Sequence, residues 1–261
     1  MLEKEGFDAW AEEYDRSVRE TDEASGYPFA GYDALMSWLR QEITAESSRS
    51  CGSYLDVGIG TGKLAGELYD RGIPVCGIDF SEKMLEEAAR RMPEARLICH
   101  DFSQGLPEKL AGERFDVIVC TYAIHHLDEE QKISLIEQML SHLEAGGRLY
   151  IGDVVFATRQ ELEACRESVG SDWDEEESYP VMEEIASRLS ENGFPQMHFR
   201  RFSFCAGVMY WKKAIWYAHN QYRRRPHRPS LRRDRGKQAG AACGNGRKRS
   251  ATGIRGAGGR F

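Results

Sequence analysis

From Ser53 onward, short apolar runs alternate with longer stretches in which apolar residues recur at helical spacing. SYLDV precedes a helical pattern over 62–70, PVCGID one over 81–92, and RFDVIVCTY one over 129–143, while ARLICHD leads into a loop and GGRLYIGDVVF closes the series. Short apolar strands joined through helices of about ten residues or more predict right-handed crossovers and a parallel sheet covered on both faces. End signals agree: Ser81 and Asp128 stand where N-caps are needed, and the pair Gly146-Gly147 stands where the 129–143 helix would stop. Past Phe156 the pattern changes to helices over 158–168 and 180–192, then to QMHFRRFSFCAGVMYW, two extended segments with no helix between them. Strands joined that tightly pair antiparallel. Two helical stretches near 7–18 and 29–44 precede the first strand, are not needed by the sheet, and are placed to cap a binding site.

Charge divides the chain. The net charge of -7 conceals 13 Lys and Arg against one acid in residues 214–261, which leaves 22 basic and 41 acidic side chains in residues 1–213. An acidic body repels a polyanion over most of its surface, so nucleic acid is left only the basic tail, which lacks apolar periodicity and is read as disordered. The longest apolar run, 117–124, is too short to span a bilayer, and MLEKEGFDAW has neither the basic nor the apolar region of a signal peptide. A cytoplasmic protein, with no membrane partner, is expected. The seven cysteines form no CxxC pair, and Cys76, Cys99 and Cys120 fall in apolar runs, as small core residues do; no disulfide framework and no metal site is expected.

The chemistry concentrates in YLDVGIGTG. Gly58, Gly60 and Gly62 follow a strand and open a helix, so a ligand can lie on bare backbone there. The spacing is GxGxG, since Lys63 takes the place of the last glycine in the dinucleotide fingerprint GxGxxG. Asp56, two residues before Gly58, would repel a pyrophosphate and suits a ligand with a cationic end. Asp79 ends the second strand, where a doubly wound sheet aims a carboxylate at ribose hydroxyls, and Asp101 ends the third. Lys63 is expected in solvent, because such a ligand offers it no phosphate.

The runs Leu55–Gly62, Gly77–Ser81, His100–Phe102 and Phe115–Val119 together resemble the successive motifs of class I S-adenosylmethionine-dependent methyltransferases over residues 7–213. FDAWAEEYD and the run Tyr122–Leu127 are similar to a bacterial small-molecule branch of that family, including members linked to sulfur amino-acid metabolism. The resemblance implies an α/β class fold: a doubly wound, mostly parallel seven-stranded sheet with the last strand antiparallel and an N-terminal helical cap. It divides the chain into a methyltransferase domain over 1–213 (cap 1–50, cofactor half 51–156, substrate side 157–213) and the tail 214–261. It further implies S-adenosylmethionine as cofactor, with Gly58, Gly60 and Thr121 beside the methionine part and Asp79 on the ribose. Phe80 would lie on the adenine, Asp101 would accept from its amino group, and Phe102 would adjoin them.

Methyl transfer from a sulfonium is an in-line displacement with a good leaving group, so alignment and exclusion of water dominate. A hydroxyl, thiol or ammonium acceptor must also lose a proton, for which His125, its neighbour His126 and Tyr14 are the candidates. Thr121-Tyr122-Ala123-Ile124 stands where enzymes acting on exocyclic base amines carry an Asn/Asp-Pro-Pro-aromatic run, and no Pro is followed by Cys. A small-molecule acceptor is favoured, handled by a monomer or homodimer. The alternatives are an RNA methyltransferase using the tail and a non-catalytic binder of the cofactor; a nicotinamide oxidoreductase is disfavoured by the glycine spacing and Asp56. The acidic run 172–177 is expected to be a solvated face.

Overall fold

The computed structural model describes residues 16, 18–45 and 52–214. After a helical stretch at 18–23, α1 (Tyr32–Ala45) leads to a series of strands and helices: β1 (Tyr54–Val57), α2 (Lys63–Tyr69), β2 (Val75–Asp79), α3 (Glu82–Arg91), β3 (Arg96–Cys99), β4 (Phe115–Thr121), α4 (Glu129–Ser141) and β5 (Leu143–Val154). The chain continues through α5 (Arg159–Val169), α6 (Met182–Glu191), β6 (His198–Arg201) and β7 (Ala206–Lys212). One seven-stranded sheet runs in the order β3-β2-β1-β4-β5-β7-β6. β1 pairs in parallel with β2 and β4, and β7 pairs antiparallel with both β5 and β6. The expected fold class is observed, with the antiparallel strand set one place in from the edge.

Alternation along the strands explains the two layers. Leu55, Val57, Ile78, Ile118 and Ile151 face one core with Ile136 and Met139 of α4 and Ile185 and Leu189 of α6. Tyr54, Val117, Val119 and Tyr150 face the other, with Leu35 and Leu39 of α1, Leu64 and Leu68 of α2, and Leu85 and Ala88 of α3. Every residue of β1 is buried, as a central parallel strand covered on both sides requires. Ser81 caps α3 by accepting from the Met84 amide, and Asp128 forms a full capping box with Gln131 on α4.

Two sequence expectations are corrected. Gly146-Gly147 does not end α4, which stops at Ser141; it lies inside β5, where the register against β4 slips between Phe115 and Val117. The slip lets β5 begin almost as soon as the helix ends. Cys99 is exposed, because β3 is an edge strand, while Cys76 and Cys120 are buried as expected. The helical stretch near 29–44 is α1; most of the one near 7–18, Tyr14 included, and the tail beyond residue 214 lie outside the described residues. Among the described residues no helix is long and apolar enough to cross a membrane.

Candidate functional site

Strand order reverses direction between β1 and β4, and at the carboxyl ends of such strands a doubly wound sheet leaves a crevice. A cleft of about 690 Å³, counting its open mouth, lies there. Its walls come from Asp56 and the glycine loop after β1, Asp79 and Phe80 after β2, Phe102, and Thr121, Tyr122 and Ala123 after β4. Tyr32 and Met36 of α1 complete it, so the described part of the N-terminal region does border the site.

The loop after β1 is held by backbone: the Gly58 and Ile59 amides both donate to the Ile78 carbonyl, at 2.8 and 2.9 Å. Gly58 has φ 76°, and a Cβ built on it would stand 2.5 Å from the Ala123 Cβ, so the loop packs against the β4 end only because the residue is glycine. Gly60 differs. Its φ is 55°, but a Cβ there would meet nothing within 4 Å.

Asp79 is buried and organises this loop, accepting from the Gly60 amide at 2.8 Å and from the Ser81 amide at 2.9 Å. Asp56 is buried at 2% exposure and accepts from the Tyr54 hydroxyl through Oδ2 at 2.8 Å. Among the described residues its Oδ1 has no hydrogen-bond donor. Burial pushes the Asp56 carboxyl up to about 7, against the Tyr54 hydrogen bond, and the nearby Asp79 charge adds to the rise. A buried carboxylate oxygen without a donor, on a residue that lines a cleft, is a place for a ligand's positive charge or N–H.

The expected site residues divide. Asp56, Gly58, Gly60, Asp79, Phe80, Phe102 and Thr121 all line the cleft. Asp101 does not: it is exposed and caps the turn Phe102–Gln104, accepting from the Ser103 amide at 2.9 Å. Lys63, expected in solvent, lines the cleft with its ammonium 4.6 Å from the centroid of the Tyr32 ring.

The histidines also divide. Tyr122, at φ 46°, turns the chain sharply after β4, and the short helical turn Ile124–His126 follows. A bulky residue in the left-handed region is a strained one, and such strain collects at functional sites. His126 lines the cleft, whereas His125 points behind it, where its Nδ1 lies 2.6 Å from Oδ1 of the fully buried Asp153. Burial opposes charging of His125, but Asp153 and then Glu177 outweigh it and hold the imidazole above its ordinary range. Burial and the charge of His125 push His126 the other way, down to about 2.

Five participants were missed from sequence. Asp153 ends β5 as Asp56 ends β1, an acid inside an apolar run, and that shared signal could have found it. Glu177, taken as part of a solvated acidic face, accepts from the Tyr179 hydroxyl at 2.5 Å, and Tyr179 in turn meets the Tyr27 hydroxyl. Lys132, on α4, is buried with its ammonium on the Leu127 carbonyl, and burial lowers it to about 8.

Comparison with known proteins places this architecture in context. A family described as "Methyltransferase domain" matches residues 55–147. An uncharacterized methyltransferase of Geobacillus thermodenitrificans (strain NG80-2) is 36% identical over 196 residues, covering 72% of this chain and 86% of the relative. One from Bacillus mycoides (strain KBAB4) is 30% identical over 215 residues, 78% of this chain and 94% of the relative. Among solved structures, the magnesium protoporphyrin IX methyltransferase of Synechocystis PCC 6803 with bound SAH aligns with TM-score 0.56 at 20% identity, over 71% of this chain and 85% of that one. The plantazolicin methyltransferase BpumL, in complex with a pentazolic desmethylPZN analog and SAH, aligns with TM-score 0.52 at 18% identity, over 81% and 97%.

Proposed function

The chain belongs to the class I S-adenosylmethionine-dependent methyltransferases, and from that premise we propose that it transfers the methyl group to a small-molecule acceptor by in-line displacement, using the cleft at the sheet's switch point. The observation that carries this reading is Asp56: a buried carboxylate in the cleft lining, one of whose oxygens has no donor among the described residues, fits a cationic nucleoside and opposes a pyrophosphate. The rest of the cleft fits the same group. The glycine loop offers bare backbone, Asp79 is held after β2 where it would meet the ribose hydroxyls, and the Phe80 and Phe102 rings would supply apolar surface for a base.

Bound there, the cofactor supplies a sulfonium methyl whose displacement releases a neutral thioether. Asp56 would hold positive charge, and Thr121 and Ala123 would bound the far wall. Tyr32 and Met36 would shield the cleft from water, which matters because a displacement at carbon gains most from alignment and dryness. His126 lines the cleft, but burial keeps it neutral and too weak a base to hold an acceptor's proton, while His125, which Asp153 holds above its ordinary range, points behind the cleft. Asp101 is left with a capping role or, beyond the cleft's rim, an adenine contact.

A small acceptor is supported by the acidic balance of residues 1–213 and by the acceptors named for the two structural neighbours, magnesium protoporphyrin IX and plantazolicin. Calorimetric titration with S-adenosylmethionine, its demethylated product and NAD tests the cofactor: the two sulfur ligands should bind and NAD should not. Incubation with a metabolite extract and isotopically labelled methyl donor should put label in the small-molecule fraction. Binding of NAD alone, or label confined to macromolecules, would overturn the reading.

A further inference from the structure

Beside the cleft, which His126 lines, the His125, His126 and Glu177 side chains converge: their ligand atoms all lie within 4.8 Å of one another. Glu177 Oε1 is 3.5 Å from His125 Nε2 and 3.8 Å from His126 Nδ1. These separations are too long for good hydrogen bonds. They match instead what two ligands of one ion require, since donors about 2.1 Å from a tetrahedral centre stand roughly 3.4 Å apart.

The surroundings of the cluster are those of a supported ligand set. His125 Nδ1 is engaged by Asp153 at 2.6 Å, which turns Nε2 toward Glu177; a carboxylate behind a histidine in this way fixes ring orientation in metal sites. The other oxygen of Glu177 is held by the Tyr179 hydroxyl at 2.5 Å, and Tyr27 stacks on Trp173 of the same segment with centroids 5.5 Å apart. The backbone joins the two halves, as the Ser178 amide donates to the His125 carbonyl at 2.9 Å. Around His125, among the described residues, two carboxylates, Asp153 and Glu177, face one ammonium, Lys132.

We propose that His125, His126 and Glu177 form a binding site for a divalent first-row transition metal ion such as Zn²⁺, on the wall of the methyl-transfer cleft. Two imidazoles and one carboxylate leave at least one coordination position open, the arrangement of sites that also take a substrate atom. Because His126 lines the cleft as well, and resting on the methyltransferase reading above, the open position would receive a thiol or hydroxyl of the acceptor.

The test uses the untagged full chain, stripped with a chelator and titrated with Zn²⁺ by calorimetry and with Co²⁺ by visible absorption. One ion per chain is expected, with affinity falling at least about tenfold in Glu177→Gln and in His126→Gln. X-ray absorption of the zinc-loaded wild-type chain should show imidazole nitrogen and carboxylate oxygen without sulfur, a readout that does not depend on either variant folding. No bound ion, equal affinity in both folded variants, or a shell containing cysteine sulfur would overturn the site. Titration with S-adenosylmethionine in parallel separates the two readings: a chain that binds the nucleoside but no metal loses only this site, and one that binds metal but no sulfur ligand loses the enzyme reading.

Discussion

Asp56 carries two opposing demands, and pH separates them. In the folded chain its carboxyl titrates near 7, against 3.8 for the ordinary group, because burial penalises the charge. A folded value above the unfolded one means the native state holds its proton longer, so stability falls as pH rises between about 4 and 7 and is level beyond. The full difference corresponds to at most about 4 kcal/mol. Denaturant unfolding at several pH values should therefore show wild type losing stability relative to Asp56→Asn across that window; parallel curves would remove the assignment. Cofactor affinity should move the other way. The ionised form is the one that attracts a cation, so wild-type affinity rises with pH through about 7, and Asp56→Asn binds roughly tenfold or more weakly above it. Calorimetry in buffers of differing ionisation heat should show proton release on binding at pH 6.5. This signal was half legible in sequence: an acid two residues before Gly58 announced a cationic ligand, whereas the open Oδ1 and the Tyr54 hydrogen bond belong to the folded strand.

The loop between β1 and α2 tests the same site one level up. Gly58 and Gly60 look equivalent in GIG, yet one packs against Ala123 and the other borders open space. Gly58→Ala combines left-handed strain with a collision and should destabilise the fold by about 2–5 kcal/mol. Gly60→Ala meets only the strain, about 1–2 kcal/mol, and should stay folded while losing cofactor affinity because its new methyl stands at the cleft wall. Thermal melting and calorimetry of the pair decide this; equal melting temperatures, or undiminished binding by Gly60→Ala, would count against the loop as a cradle. The elements themselves were readable because central parallel strands buried on both faces appear as apolar runs, and because Ser81 and Asp128 cap their helices as their types predict. The register slip in β5 was not readable: Gly146-Gly147 satisfies helix-stop chemistry equally well, and only the pairing against β4 shows otherwise.

At the scale of the whole chain, what escaped the sequence is long-range pairing. His125 reaches Asp153 across 28 residues and Tyr27 reaches Tyr179 across 152, and no local pattern encodes either meeting. The charge division, by contrast, is visible in the sequence alone and sets the last prediction. The sheet closes with the Lys213 amide on the Gly147 carbonyl at 2.9 Å and the Lys213 ammonium on the Leu143 carbonyl at 2.6 Å, so a chain ending at Ala214 keeps both of these bonds. The truncation removes 13 basic residues, while the remaining 22 basic and 41 acidic side chains repel a polyanion. Truncation should therefore leave S-adenosylmethionine affinity, melting temperature and labelling of the small-molecule acceptor unchanged. RNA binding should appear only with the full chain, and it should weaken steeply with salt, as binding by a solvated basic segment does. If the truncated chain instead stopped labelling small molecules, or the full chain placed its label on RNA, the tail would be part of the substrate site and the acceptor would be a nucleic acid.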